Sequence, residues 1–300
     1  MAAVEQTPEA ATPEAGGPTP ARRALSPSRA GDFMQCPLLY RFRVVDRLPE
    51  EPSAAAARGT LVHAVLERLF DAPAADRTIE AAVDLLEPQW AALMEQEPEL
   101  AALVGEGGTD EQTWMADAAE LVRRWFALED PTRLEPAERE LYVEADVDGL
   151  TLRGYIDRLD EAPGDLLRVV DYKTGRSPSE FFEAKALFQM KFYALVLWRT
   201  RGVVPRMLQL VYLGNSEIVR YEPTEGDLLA TERKIKALWE AIERAATTGD
   251  WRPHRTRLCD WCSHQALCPE YGGTPPPLPA HAIGLALDPV RSGEAVPAVD

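Results

Sequence analysis

Asp171 and Lys173 stand two residues apart in Val169-Val-Asp-Tyr-Lys-Thr-Gly175, an apolar run that ends in an acid, a base and a glycine. On a strand, side chains two apart share a face, so the carboxylate and the ammonium point the same way. A second acid, Asp157, ends Gly154-Tyr-Ile-Asp157 in the preceding strand-like run. Two carboxylates near neighbouring strand ends suit a hard divalent cation, Mg²⁺ or Mn²⁺, which takes oxygen ligands. The imidazole of His63 and the backbone carbonyl of Tyr172 can complete such a shell. Lys173 beside it suits activation of water and stabilisation of a phosphorane-like transition state. The competing reading of the same residues is a solvated strand end, with Asp157 paired to Arg153 or Arg158.

The four cysteines form a second constellation. Cys259, Cys262 and Cys268 follow a C-x2-C-x5-C spacing, and Cys36 lies far upstream beside Pro37. The N-terminus lacks the basic and apolar regions of a signal peptide and no run of 18 apolar residues occurs, so a soluble, cytoplasmic protein without a membrane span is expected. In a reducing compartment, four thiols point to a metal or cluster rather than to disulfides. Spacing alone leaves zinc and an iron-sulfur cluster equally open, and His264 could replace one cysteine around zinc. Trp251 and Trp261 are expected to pack around this site.

These residues need elements to hold them. The chain has 300 residues, 46% of them apolar, enough for a sizeable core. Residues 1–20 and 271–300, rich in Pro, Ala and small polar residues, read as disordered tails around one domain over 21–270. Ser26 or Ser28 can cap a short helix into Cys36-Pro37, and Thr60 can cap a helix over 59–70 that carries His63, after an Ala-rich linker. A helical insertion spans about 71–130. The core, about 138–250, opens on a three-strand meander through the Asp148-Gly149 turn. A helix over 179–199, strands near 206–213 and 217–222, and a helix from Thr224 to Gly249 follow. The expected class is α/β with a mixed central sheet flanked by helices, and the cluster segment 259–268 joined to Cys36.

In order and type, the motifs resemble the PD-(D/E)XK nuclease superfamily in its RecB-like branch. Gly59-Thr-Leu-Val-His63 matches the helix that carries a His, Gly154-Tyr-Ile-Asp157 the G-x-x-D strand, Asp171-Tyr-Lys173 the D-x-K motif, and Gln189-Met-Lys-Phe-Tyr193 the Q-x-x-x-Y helix. The resemblance implies a restriction-endonuclease-like fold with His63, Asp157, Asp171 and the Tyr172 carbonyl as metal ligands. It implies that Lys173 acts on the attacking water, and that Gln189 and Tyr193 support the site and the DNA strand. Glu140, just before the first strand, is a candidate additional acid. AddB-type and CRISPR-associated members hold a [4Fe-4S] cluster with one cysteine before the core and three after it. By that likeness Cys36, Cys259, Cys262 and Cys268 would ligate such a cluster.

The implied activity is a Mg²⁺- or Mn²⁺-dependent DNA exonuclease acting on single-stranded or resected ends in repair or recombination. The alternative is a noncatalytic iron-sulfur DNA-binding or scaffold subunit of a helicase-nuclease or CRISPR adaptation complex. No Walker A motif is present, so helicase or ATPase activity would come from a partner chain. The formal net charge of -17 argues against a nucleic-acid partner when taken whole. It is unevenly placed: residues 71–120 hold 13 acids and one base. Arg41, Arg43, Lys191, Arg255 and Arg257 lie in the more basic segments and are candidates for contacts to phosphate.

Overall fold

A computed structural model describes residues 23–105, 108, 110–177 and 180–287. Its centre is a mixed sheet of strands β1 (Ala24–Leu25), β2 (Glu138–Val147), β3 (Leu150–Ala162), β4 (Leu166–Lys173), β5 (Met207–Tyr212) and β6 (Glu217–Tyr221). β2, β3 and β4 form the expected antiparallel meander. Asp148 and Gly149 both take positive φ, 54° and 82°, which matches the twist that a two-residue hairpin loop needs. β4 and β5 pair in parallel, and β6 returns antiparallel to β5. The short β1 lies parallel to the start of β3.

The helices are α1 (Pro27–Gln35), α2 (Pro37–Tyr40), α3 (Ala54–Leu69), α4 (Ile79–Asp84), α5 (Leu86–Gln96), α6 (Glu111–Leu128), α7 (Glu180–Arg201), α8 (Glu225–Thr248) and α9 (Ala282–Leu287). α7 is the crossover that a parallel pair requires. Thr224 and Asp227 cap α8 reciprocally, and Gly249 ends it with φ 72°. Two cores follow from the two faces of the sheet. Val169, Leu208 and Leu210 pack with α1, α7, α8 and α9, while Val170, Tyr172 and Val211 pack with α3, α5 and α6. Among the described residues no helix is long and apolar enough to cross a membrane.

Two expectations need correction. The Ala-rich stretch before Gly59 is not a linker: it is the first turn of α3, capped by Ser53, and Thr60 sits inside the helix donating to the Ala56 carbonyl. Alanine is the best helix former, so a capped alanine run folds. The helices of 71–130 cover one face of the sheet: Trp114, Val122 and Trp125 share a core with Tyr172 and Val211. The tail does not start at residue 271. α9 buries Ala282 and Ala286 against the main core, and the Tyr40 hydroxyl donates to the Ala286 carbonyl over 2.8 Å. The tail assigned to residues 1–20 and the end beyond 287 lie outside the described residues.

Candidate active site

The site lies where the regular ladder of the sheet is interrupted. β2 and β3 pair in one register from Glu138–Leu159 to Val147–Leu150, but the Glu140–Asp157 position makes no bridge, and Glu140 has φ 44°. Inward alternation on β3 slips at the same place. Ile156 and Leu159, three residues apart, both enter the α7 and α8 core. Asp157 and Arg158 therefore both turn to the α3 face. β3 and β4 part here too, since their pairing stops at Arg158–Val170. The Tyr172 N–H donates instead to Asp157 Oδ2 at 2.7 Å.

On that face, His63, Glu140 and Asp157 each bring one ligand atom within 4.8 Å of the other two. His63 Nδ1 is 3.6 Å from Asp157 Oδ2. His63 comes from the middle of α3, whose other faces hold it down through Leu61, Val62, Val65 and Leu66. Burial, then the charges of Asp157, Glu67 and Asp171, push the Glu140 carboxyl up to about 8. Such a crowd of carboxylates with an imidazole suits a divalent cation, whose charge would reverse that penalty.

Asp171 and Lys173 face α7. Lys173 Nζ lies 3.0 Å from Asp171 Oδ2 and 3.3 Å from Gln189 Oε1, while Gln189 Nε2 donates to Asp171 Oδ1 at 3.0 Å. The Tyr193 hydroxyl accepts from Gln189 Nε2 at 3.3 Å, as the four-residue spacing on one helix face allows. Tyr193 also explains the glycine of Gly154-Tyr-Ile-Asp157: a Cβ there would lie 2.7 Å from Tyr193 Cε1. Burial pushes the Asp171 carboxyl up to about 6, against the opposing pull of Lys173.

The structure thus gathers His63, Asp157, Asp171, Tyr172, Lys173, Gln189 and Tyr193 at one sheet end, and it adds Glu140 to the tightest group. Asp171 is not in the trio within 4.8 Å; its oxygens meet Lys173 and Gln189. Arg158 does not pair with Asp157. It is fully buried in a fork with Glu129, at 2.7 and 2.9 Å, and touches the Tyr172 hydroxyl. Glu129 also accepts from Trp125 and Gln209, so a buried network fixes the outer face of β4. Sequence reasoning missed this role for Glu129; no local spacing announces it.

Cys36, Cys259, Cys262 and Cys268 line one pocket between α1 and the C-terminal segment, although about 220 residues separate the first from the rest. The backbone N–H of His254 approaches Cys36 Sγ at 3.4 Å and that of Thr256 approaches Cys259 Sγ at 3.3 Å. His264 does not face the thiols as a ligand would: its Nε2 meets Glu50 Oε1 at 2.8 Å. Trp251 is buried and stacks on Tyr40, whereas Trp261 is 78% exposed and covers nothing.

Residues 24–269 match the family model of the PD-(D/E)XK nuclease superfamily. The chain belongs to that superfamily. It is 28% identical over 268 residues to the Gene 69 protein of Mycobacterium phage D29, covering 82% of this chain and 96% of that protein. With the Gene 69 protein of Mycobacterium phage L5 the identity is 24% over 288 residues, with the same two shares. The solved structure of a presumed exonuclease from Eubacterium rectale shares the fold, with a TM-score of 0.53 and 16% identity over 81% of this chain and 88% of that one. PD-(D/E)XK nucleases use divalent metals, and the His63, Glu140 and Asp157 donor set fits one.

Folding gives the five cations expected to contact phosphate different surroundings. Arg41 is buried, with its Nε 2.9 Å from Asp46, so it neutralises an interior acid. Arg43 is taken by Asp32 and Glu50, and Lys191 by Asp227 and the Tyr221 ring. Among the described residues only Arg255 and Arg257 of the five have no ion-pair partner, and Arg255 lies over the Tyr271 ring. The basic segments of the sequence are thus mostly neutralised by folding.

Proposed function

We propose that this protein is a divalent-metal-dependent DNA nuclease, working as an exonuclease on single-stranded or resected ends in repair or recombination. One observation carries the reading: His63, Glu140 and Asp157 converge within 4.8 Å beside the Asp171–Lys173 pair, in a chain of a nuclease superfamily. When bound, Mg²⁺ or Mn²⁺ supplies an acidified water and neutralises charge on the scissile phosphate. His63, Glu140 and Asp157 hold the ion, with Asp171 and the Tyr172 carbonyl as further ligands. Lys173 Nζ, fixed by Asp171 and Gln189, stabilises the charge that builds on the phosphoryl oxygens. Gln189 keeps Lys173 and Asp171 in register, and Tyr193 backs Gln189 from one turn away.

The second part of the proposal is a [4Fe-4S] cluster on Cys36, Cys259, Cys262 and Cys268. Their shared pocket supports it. Closing a loop of about 220 residues would stabilise the fold by several kcal/mol on the chain-entropy account. Any strand separation would come from a helicase partner, since this chain has no Walker A motif.

The test uses anaerobically purified protein with linear and circular single-stranded DNA, in Mn²⁺, Mg²⁺ or EDTA. The reading expects metal-dependent loss of the linear strand from an end, with the circle spared. Cleavage of the circle at equal rate would replace the exonuclease by an endonuclease, and absence of cleavage in every metal would overturn the enzymatic reading.

A further inference from the structure

Tyr142 and Tyr155 are opposite each other on β2 and β3, with ring centroids 5.3 Å apart. Cross-strand aromatic pairs commonly stabilise hairpins. Here both rings stay open, at 45% and 42% exposure. Their position is specific. Leu141, Val143, Gly154 and Ile156 point to the α7 side, so Tyr142 and Tyr155 lie on the same face as Glu140 and Asp157. On that face they are the next cross-strand pair along from the two carboxylates, two residues and roughly 7 Å away at the rise of a strand. The pair after that sets Glu144 opposite Arg153, and Arg139, which donates to Asp71, lines the pocket of the trio on the other side. The hairpin thus presents in a row a cation, the two carboxylates that meet His63 of α3, two open aromatic rings and a second cation.

We propose that Tyr142 and Tyr155 form a platform on which unpaired bases of a single-stranded DNA stack next to the scissile phosphate. Aromatic rings take any base by its face, and only an unpaired base offers that face. Paired duplex has no access to the platform without fraying, so the rings select single-stranded ends. This rests on the nuclease reading for the nature of the ligand, and it adds the subsite that sets strand preference.

Binding of a labelled single-stranded oligonucleotide by the full chain, with Ca²⁺ replacing the catalytic metal, is read by fluorescence anisotropy. Tyr142→Ala combined with Tyr155→Ala is expected to weaken binding by about tenfold or more, and the paired Tyr→Phe changes to restore it. A second arm needs no variant: an oligonucleotide with abasic positions keeps its phosphates but loses the stacking partners, and the wild type should bind it as weakly as the alanine variant binds the intact strand. Intact binding by the folded alanine variant, or equal wild-type affinity for intact and abasic strands, overturns the platform. Tyrosine-dependent binding without cleavage in any metal would keep the platform and overturn the nuclease reading alone. Cleavage of single strands that is indifferent to both tyrosines would do the reverse.

Discussion

Glu140 and Asp157 face each other across the β2–β3 ladder at the position where bridging lapses, and the register is the same on both sides of the gap. At that same position the two carboxylates come together with the imidazole of His63. Glu140 reaches its place with φ 44°, a conformation uncommon for a residue with a side chain. Backbone conformations of this kind cluster at active sites and ligand clamps, which agrees with the place of Glu140 beside His63 and Asp157.

That crowding makes the metal-free protein sensitive to pH. The Glu140 carboxyl is pushed from 4.5 up to about 8 in the folded state, so the fold binds the proton more tightly than the unfolded chain. Stability then falls as pH rises from about 4.5 to about 8. Thermal denaturation in EDTA should show this slope, and Glu140→Gln should flatten it and raise Tm near pH 8. Mn²⁺ should raise the wild-type Tm at pH 8 and do less for the variant.

Lys173 and Gln189 should separate metal binding from chemistry. Lys173 is not a ligand, so Lys173→Ala should keep Mn²⁺ affinity, measured by calorimetry, while cleavage falls by about two to four orders of magnitude. Gln189→Ala releases Lys173 and Asp171 together and should cost about 10–100-fold. A large loss of Mn²⁺ affinity in Lys173→Ala would contradict these assignments.

The Arg158–Glu129 fork is a matter of stability. Both partners are buried, and removing one leaves an uncompensated charge. Arg158→Ala should destabilise by about 3–5 kcal/mol and lower Tm by on the order of 10 °C. Replacing both by apolar residues of similar volume should cost less than either single change.

The cysteine pocket predicts a brown protein containing iron when isolated without oxygen. Cys259→Ser should remove the colour and lower Tm, with a loss of several kcal/mol from the opened loop. Stoichiometric zinc without iron in the wild type, by elemental analysis, would contradict the cluster.

The meander, the crossover helix and the grouping around Asp171 were legible because each rests on local periodicity. Alternation fixed the faces of β4, and the i to i+4 spacing put Gln189 and Tyr193 together. Glu140 was harder to see, since one acid among 49 gives no local sign that a ladder will open beside it. Arg41 and Arg43 meet the nearby acids Asp46 and Glu50, and Lys191 meets Asp227 from another element, pairings that a sum of charge over a segment does not show. α9 was hidden by the prolines before it: composition described the approach, and two buried alanines decided the packing. Trp261 shows the same limit in reverse, an aromatic expected inside that stands in solvent.

The most direct measurement is cleavage of an end-labelled single-stranded oligonucleotide in Mn²⁺ by wild type, Asp157→Ala, Asp171→Ala and Lys173→Ala, each shown to be folded by its thermal transition. The account predicts robust metal-dependent hydrolysis by the wild type and a loss of at least about 100-fold in every variant. Equal cleavage by wild type and variants would place the chemistry elsewhere and contradict the assigned site.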